Sequence, residues 1–272
     1  WNKIINASAT TLSKVALGIF KYSSNGLVVG DLIGRIISAL GCIIRALITD
    51  KEAFLQVSCK KIISVAKRYK DFPRFYLPGS LIDVVNSQLP TFMIAAFFNS
   101  SEVGFFAMAG SILSVPASVI SVAVMDVFRQ RANEEWVKFG NCINIYKKTV
   151  KYMFFIIVPV SIFLLFYLPD LFSVILGETW YTAGIYARIL LPNVVILFMF
   201  QVVSAIFVIT NKMKASFIWE IYSITLTLIS LYLGGYVFGD VKMTLICYVI
   251  ARSIANLSRF YLTYKYAHGL KK

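Results

Sequence analysis

Acidic residues are scarce in this 272-residue chain: 13 Asp and Glu stand against 27 Lys and Arg, with a single histidine, His268. One histidine leaves no second imidazole for acid–base work or a metal cage. The four cysteines, Cys42, Cys59, Cys142 and Cys247, are scattered singly, which fits neither a disulfide framework nor a CxxC metal pair. No Walker GxxxxGK[ST] loop, no GxGxxG after a strand and no HExxH occurs, so nucleotide, dinucleotide and zinc-protease chemistry have no foothold. No cofactor or metal is expected. A charged n-region with a small-residue cleavage site is also missing. Trp1 stands where an initiator Met is expected, and the chain is expected to be the C-terminal part of a longer protein.

What the chain has is apolar length. It is 58% hydrophobic with a mean hydropathy of +0.75. Eight stretches, 3–20, 27–48, 78–99, 103–127, 150–168, 187–209, 215–238 and 241–263, each approach the roughly 20 apolar residues that a spanning helix needs. In hydrocarbon only a helix or a closed barrel satisfies its own backbone. These stretches lack the alternation of barrel strands, so the expected fold is an all-α polytopic membrane protein with about eight transmembrane helices.

The net charge of +14 is distributed by side rather than by patch. The stretches 49–77, 128–151, 210–215 and 259–272 carry 7, 6, 2 and 4 Lys or Arg, 19 of the 27. The intervening connections carry 3. Positive charge marks the cytoplasmic side of membrane proteins, so both ends of this chain are expected in the cytoplasm and no nucleic-acid partner is implied. Two of the basic stretches, 51–70 and 131–150, have apolar residues at helical spacing and are expected as helices lying in the headgroup plane among membrane lipids. Cys59 and Cys142 fall in these basic loops and are expected to meet thiol reagents from that side alone. Gly26, Gly30 and Gly34 form a small-residue ridge suited to close helix packing.

Polar residues inside the spans are the functional signal, because a mid-membrane charge costs roughly 2.5–3.5 kcal/mol on insertion scales. Asp31, Arg35, Ser38, Cys42 and Arg45 share one helix face. Further stripes are Lys3, Ala7, Thr10 and Lys14; Asp83, Asn86 and Ser87 with Gln88; Ser111, Ser114, Ser118 and Ser121; Glu220, Ser223, Thr227, Ser230 and Gly234; and Tyr248, Arg252, Asn256 and Arg259. The serine stripe reads foremost as packing and back-bonding. Lys14, Arg35 and Arg252 lie deepest and suggest a cationic cavity, with Asn86, Gln88 and Asn256 as further substrate-binding candidates. Asp31, Asp83 and Glu220 are the candidates for coupling an ion, although Asp31 and Arg35 also suit a structural i,i+4 pair. Short outer loops and the lack of any acid–base pair place transport ahead of catalysis.

Residues 88–121 and 176–192 resemble the polysaccharide-export flippases, the Wzx-like O-antigen transporters. The pieces that carry the likeness are Gln88-Leu89-Pro90, Glu102-Val103-Gly104-Phe105-Phe106, Pro116, and Gly177-Glu178-x-Trp180 leading to Gly184-x-Tyr186-Ala187-Arg188. The resemblance implies a MATE-like fold of two six-helix lobes. Residues 1–48 would then be the last two helices of an incomplete first lobe, 49–77 a basic linker, and 78–272 the second lobe. It also implies movement of an undecaprenyl-diphosphate-linked oligosaccharide across the bacterial inner membrane by alternating access, with a polysaccharide polymerase and chain-length machinery as partners. The competing expectations are a MATE-like drug exporter, which would want a net acidic cavity, a membrane-embedded enzyme of glycan assembly, and a transporter scaffold without turnover.

Overall fold

The computed structural model describes residues 8, 10, 11, 14, 26–49 and 58–269. They form two compact units, Trp1–Tyr69 and Lys70–Lys272, and contain no strand. In the first unit, α1 is Gly26–Thr49 and α2 is Cys59–Arg68. The predicted span 3–20 and the linker residues 51–57 lie largely or wholly outside the described residues, as do the side chains of Asp31 and Arg45. Two glycines of the predicted ridge, Gly30 and Gly34, pack closely as their spacing implies. A Cβ on Gly34 would stand 2.5 Å from the Thr10 Cα, and one on Gly30 would stand 3.0 Å from the Lys14 Cα.

The second unit begins with a π-helical turn, Phe72–Tyr76, that runs into α3 (Leu77–Phe97). It continues through α4 (Ser100–Phe139), α5 (Ile143–Leu176), α6 (Tyr181–Val203), the short α7 (Ile206–Ile209), α8 (Met213–Tyr232, extended by a π-helical stretch Leu233–Phe238) and α9 (Val241–Ala267). Six helices among the described residues are long and apolar enough to cross a bilayer, and all six belong to this unit. Their outer faces carry large bare apolar side chains, such as Phe155, Phe163, Phe166 and Val174 on α5. In water that surface would be an aggregation liability; against lipid it is the required exterior. This is a multi-pass α-helical membrane protein.

Local chemistry sets the helix ends on the Lys/Arg-poor side. The Asn99 side chain accepts the Glu102 backbone N–H at 3.0 Å, and Asp240 accepts that of Met243 at 3.1 Å, capping α4 and α9. At the opposite end α4 stops at Gly140, whose φ of 68° is left-handed and suits glycine.

Here two expectations need correcting. The stretch 131–150 is not a separate helix in the headgroup plane. Nothing between Phe128 and Phe139 breaks a helix, so α4 runs on for 40 residues, about 60 Å at 1.5 Å per residue. The turn at 140–142 then reverses the chain into α5. Part of the apolar stripe packs inward: Ala132, Cys142 and Tyr146 join Phe198, Phe207 and Ala267 in one buried cluster, whereas Val137 and Phe139 stay exposed. Cys142 is accordingly fully buried, its backbone N–H donating to the Ala267 carbonyl at 2.9 Å. Burial, reinforced by Glu135, pushes its thiol up to about 11. It offers no accessible thiolate, despite lying in a basic connection.

Candidate functional site

The polar stripes of α8 and α9 are buried faces that meet each other. Glu220, Ser223, Thr227, Ser230 and Gly234 are all buried along α8, as are Tyr248, Arg252 and Asn256 along α9. Thr227 and Ser230 spend their hydroxyls on α8 carbonyls, those of Ser223 and Thr227 respectively, so they are self-satisfied. Ser223 is different. Its Oγ accepts from Arg252 Nη1 at 2.7 Å and from Asn86 Nδ2 at 3.1 Å, joining α3, α8 and α9 at one atom. The Tyr248 phenol also meets Arg252. Among the described residues the hydrogen-bond partners of this buried guanidinium are therefore neutral, and the Glu220 carboxylate acts on it only through space.

One helical level nearer the Lys/Arg-rich ends, Glu220 Oε1 pairs with Arg259 Nη2 at 3.2 Å. The Arg259 guanidinium lies 4.1 Å from the ring centres of both Phe200 and Trp219. Trp219 is itself fixed, its indole N–H donating to the Ala255 carbonyl at 3.0 Å and to Ser258 Oγ at 3.1 Å. A cavity of about 700 Å³ runs along this wall, bounded by Arg252, Arg259, Glu220 and Asp83 among others. Exposed Tyr76, Asp83 and Arg129 also line it. Four buried atoms on or beside it have no hydrogen-bond partner among the described residues: Asn86 Oδ1, Glu220 Oε2, Arg252 Nε and Arg259 Nε. Such atoms are costly in low dielectric unless something polar reaches them.

The sequence candidates sort clearly. Arg252, Asn86, Glu220 and Asp83 are brought to one wall. Asn256 is buried on the same α9 stripe but turned to α6, where its Nδ2 donates to Asn193 Oδ1 at 3.1 Å. Gln88 is exposed on α3 and does not line the cavity. Lys14 and Arg35 belong to the first unit, Arg35 exposed on α1 and Lys14 against Gly30. The Asp31 side chain lies outside the described residues. Of the serine stripe, Ser121 is buried, whereas Ser111, Ser114 and Ser118 are exposed and Ser118 bonds the Val115 carbonyl. Among the described residues no cluster of His, Cys, Asp and Glu could hold a metal ion.

Ser223, Asn193, Arg259 and the Phe200–Trp219 cleft were missed as site residues. Arg259 carried a signal, since it stands seven residues from Arg252 on the same stripe. Asn193 carried one too, as a lone amide in an apolar span. The aromatic cleft carried none, because its two rings come from different helices.

The model of the polysaccharide biosynthesis protein family matches residues 2–185, which takes in α1 to α5 and the start of α6. The buried wall of α8 and α9 lies beyond the matched residues. No curated protein and no solved structure matches the chain. With more than half of its length inside the family match, the chain belongs to the polysaccharide biosynthesis protein family, whose members are flippase-like membrane proteins.

Proposed function

We propose that this protein is a flippase, or the larger part of one, which moves an undecaprenyl-diphosphate-linked oligosaccharide from the cytoplasmic to the outer leaflet of the bacterial inner membrane. The observation that carries this reading is Arg252, a buried cation whose hydrogen-bond partners are neutral, set in the wall of a cavity large enough for a few sugar rings. A charge kept inside a bundle at such cost marks a substrate or ion path. Its preferred counterpart is an anionic group, the diphosphate or an acidic sugar. Asn86 and its neighbours would hydrogen-bond sugar hydroxyls. The Lys/Arg-rich ends would face the cytoplasm, and alternating access would carry the site across with the second unit acting as one lobe. Asp83 and Glu220 are the carboxylates on this wall able to carry a coupling ion.

A flippase leaves its substrate chemically unchanged. Cells lacking the full-length protein should therefore accumulate completed lipid-linked repeat units of normal mass on the cytoplasmic leaflet, and the reconstituted protein should move them without altering that mass. Partly built glycan in the deletion strain would instead indicate an enzyme of glycan assembly. Drug hypersensitivity with normal surface glycan would indicate a small-molecule exporter.

A further inference from the structure

The two arginines of the cavity wall are held in opposite ways. They lie seven residues apart on α9, about 10 Å along its axis. Arg252 has neutral hydrogen-bond partners. Arg259 has a carboxylate, and its own position is rigid: aromatic faces stand 4.1 Å away on two sides, and the indole of one is tied back to α9. The carboxylate grips it loosely by comparison. A guanidinium and a carboxylate can form two parallel hydrogen bonds, yet Glu220 meets Arg259 through one oxygen at 3.2 Å. Glu220 Oε2 and Arg259 Nε are left without partners among the described residues. Glu220 is 5% exposed and Arg259 14%, and both line the cavity.

Two desolvated charges joined through one atom of each, with further polar atoms unmet, make a poor structural clamp. They make a good exchangeable pair. We infer that Arg259 is a second oxyanion site and that Glu220 is its built-in competitor: the carboxylate occupies the position that a phosphate or sugar-carboxylate oxygen of the transported molecule takes, and that group displaces it. This rests on the proposed function for the identity of the transported molecule. The displaced carboxylate has a place to go, toward Arg252, the other cation on the same wall, which already acts on it through space. The arrangement excludes neutral molecules, because only an oxyanion replaces the lost attraction at Arg259. It also keeps the bound anion from being held too tightly, as a transporter must release what it captures.

The test is anion titration of the purified chain in lipid nanodiscs at fixed ionic strength, with inorganic pyrophosphate in one arm and glucuronate in the other. Glu220→Gln removes the competitor and keeps the shape, so it should bind at least one anion about tenfold tighter than the parent. Arg259→Gln should lose that gain when combined with it. A gain for pyrophosphate alone assigns the site to the diphosphate, and one for glucuronate alone to an acidic sugar; either supports the inference. Asp83→Asn removes a carboxylate that acts on Arg259 through the field of the cavity but does not pair with it, and should give a smaller gain. An equal gain from Asp83→Asn would overturn the inference, because the effect would then belong to the general field of the cavity. If Glu220→Gln fails to fold, Glu220→Asp, which keeps the charge but shortens the reach, should still tighten binding measurably. Unchanged or weaker affinity in the folded variants overturns it too. Loss of anion binding in Arg252→Gln, with no gain in Glu220→Gln, would leave the flippase reading standing and remove this one. Tighter binding in Glu220→Gln by a protein that moves no lipid-linked glycan would do the reverse.

Discussion

The second unit holds its helices together in two ways. Where α6 crosses α5, contact depends on backbone closeness: Ala183, Gly184 and Ala187 are buried, and a Cβ on Gly184 would stand 2.5 Å from the Pro169 Cα. Where α8 meets α9 and α3, contact depends on polar atoms: Ser223, Arg252, Asn86 and the Glu220–Arg259 pair. Lipid tails are as apolar as leucine, so helices in a bilayer gain by close packing or by interhelical hydrogen bonds. Close packing alone suffices for the first wall. The second wall carries buried charges that packing does not need, and that excess is what points to function.

The dry wall should break hardest. Gly184→Leu puts side-chain atoms where the Pro169 backbone and the Phe172 Cβ already stand, the latter at 3.1 Å, so the helices must separate. Overpacking costs about 1–3 kcal/mol where side chains can give way, and here the obstacle is backbone. Membrane abundance, followed by fluorescence-detected size exclusion, should fall several-fold. Wild-type abundance would mean that this crossing is loose.

The same dryness can be tested at the far end of the unit through Cys142. Burial, with Glu135 beside it, pushes its thiol up to about 11 from an ordinary 9.0. The folded state therefore prefers the protonated form. The associated stability is fully present below pH 9 and is lost as pH rises toward 11. Each pKa unit corresponds to about 1.36 kcal/mol, so the loss is at most roughly 2–3 kcal/mol. Parent and Cys142→Ala melting temperatures should converge over that window. A membrane-impermeant maleimide should leave Cys142 unlabelled at pH 7 in opened membranes. Rapid labelling would show that the 140–142 turn is open to water.

Much of this was legible in the sequence. The six long helices lie close to the predicted spans, because a bilayer demands long apolar runs; the Asn99 and Asp240 caps that fix two of the starts went unread. The buried faces of α8 and α9 were legible too, since residues three and four apart must share a face. Which stripes would meet was not. Spacing along one helix says nothing about its neighbour, so Ser223 as the shared acceptor and the cleft around Arg259 appear only in three dimensions. The α4 extension misled for a related reason. An amphipathic pattern looks the same whether its apolar face rests on lipid or on another helix, and here it rests on the end of α9, beside Ala267.

On the polar wall, Ser223→Ala should cost less than the glycine change but more than an ordinary membrane hydrogen bond. It removes one small oxygen and strands two buried donors, Asn86 Nδ2 and Arg252 Nη1. An unsatisfied buried donor costs about 1–3 kcal/mol. Thermal unfolding in detergent should show a drop of that order, and glycan display should fall with it because Arg252 is no longer aimed. Ser223→Thr keeps the oxygen and should retain more of both. If Ser223→Ala changes neither stability nor display, the three-helix junction is incidental and Arg252 is positioned by Tyr248.

The finest test asks whether a polar contact away from the cavity behaves like one on it. Asn193 Oδ1 accepts from Asn256 Nδ2 at 3.1 Å, both residues are buried, and neither lines the cavity. Interhelical hydrogen bonds in a membrane average about 0.6 kcal/mol in double-mutant cycles. Asn193→Leu alone strands the Asn256 amide, and Asn256→Leu alone strands the Asn193 carbonyl, so each single change should destabilise. The double variant removes both polar groups and should recover most of the loss, leaving a coupling of roughly 0.6 kcal/mol. Glycan display by the double variant should stay near the parent level, in contrast to any change at Arg252. A double variant that is stable but inactive would move Asn193 and Asn256 into the functional wall, and the division between packing and function drawn along α9 would have to be redrawn to include its α6 side.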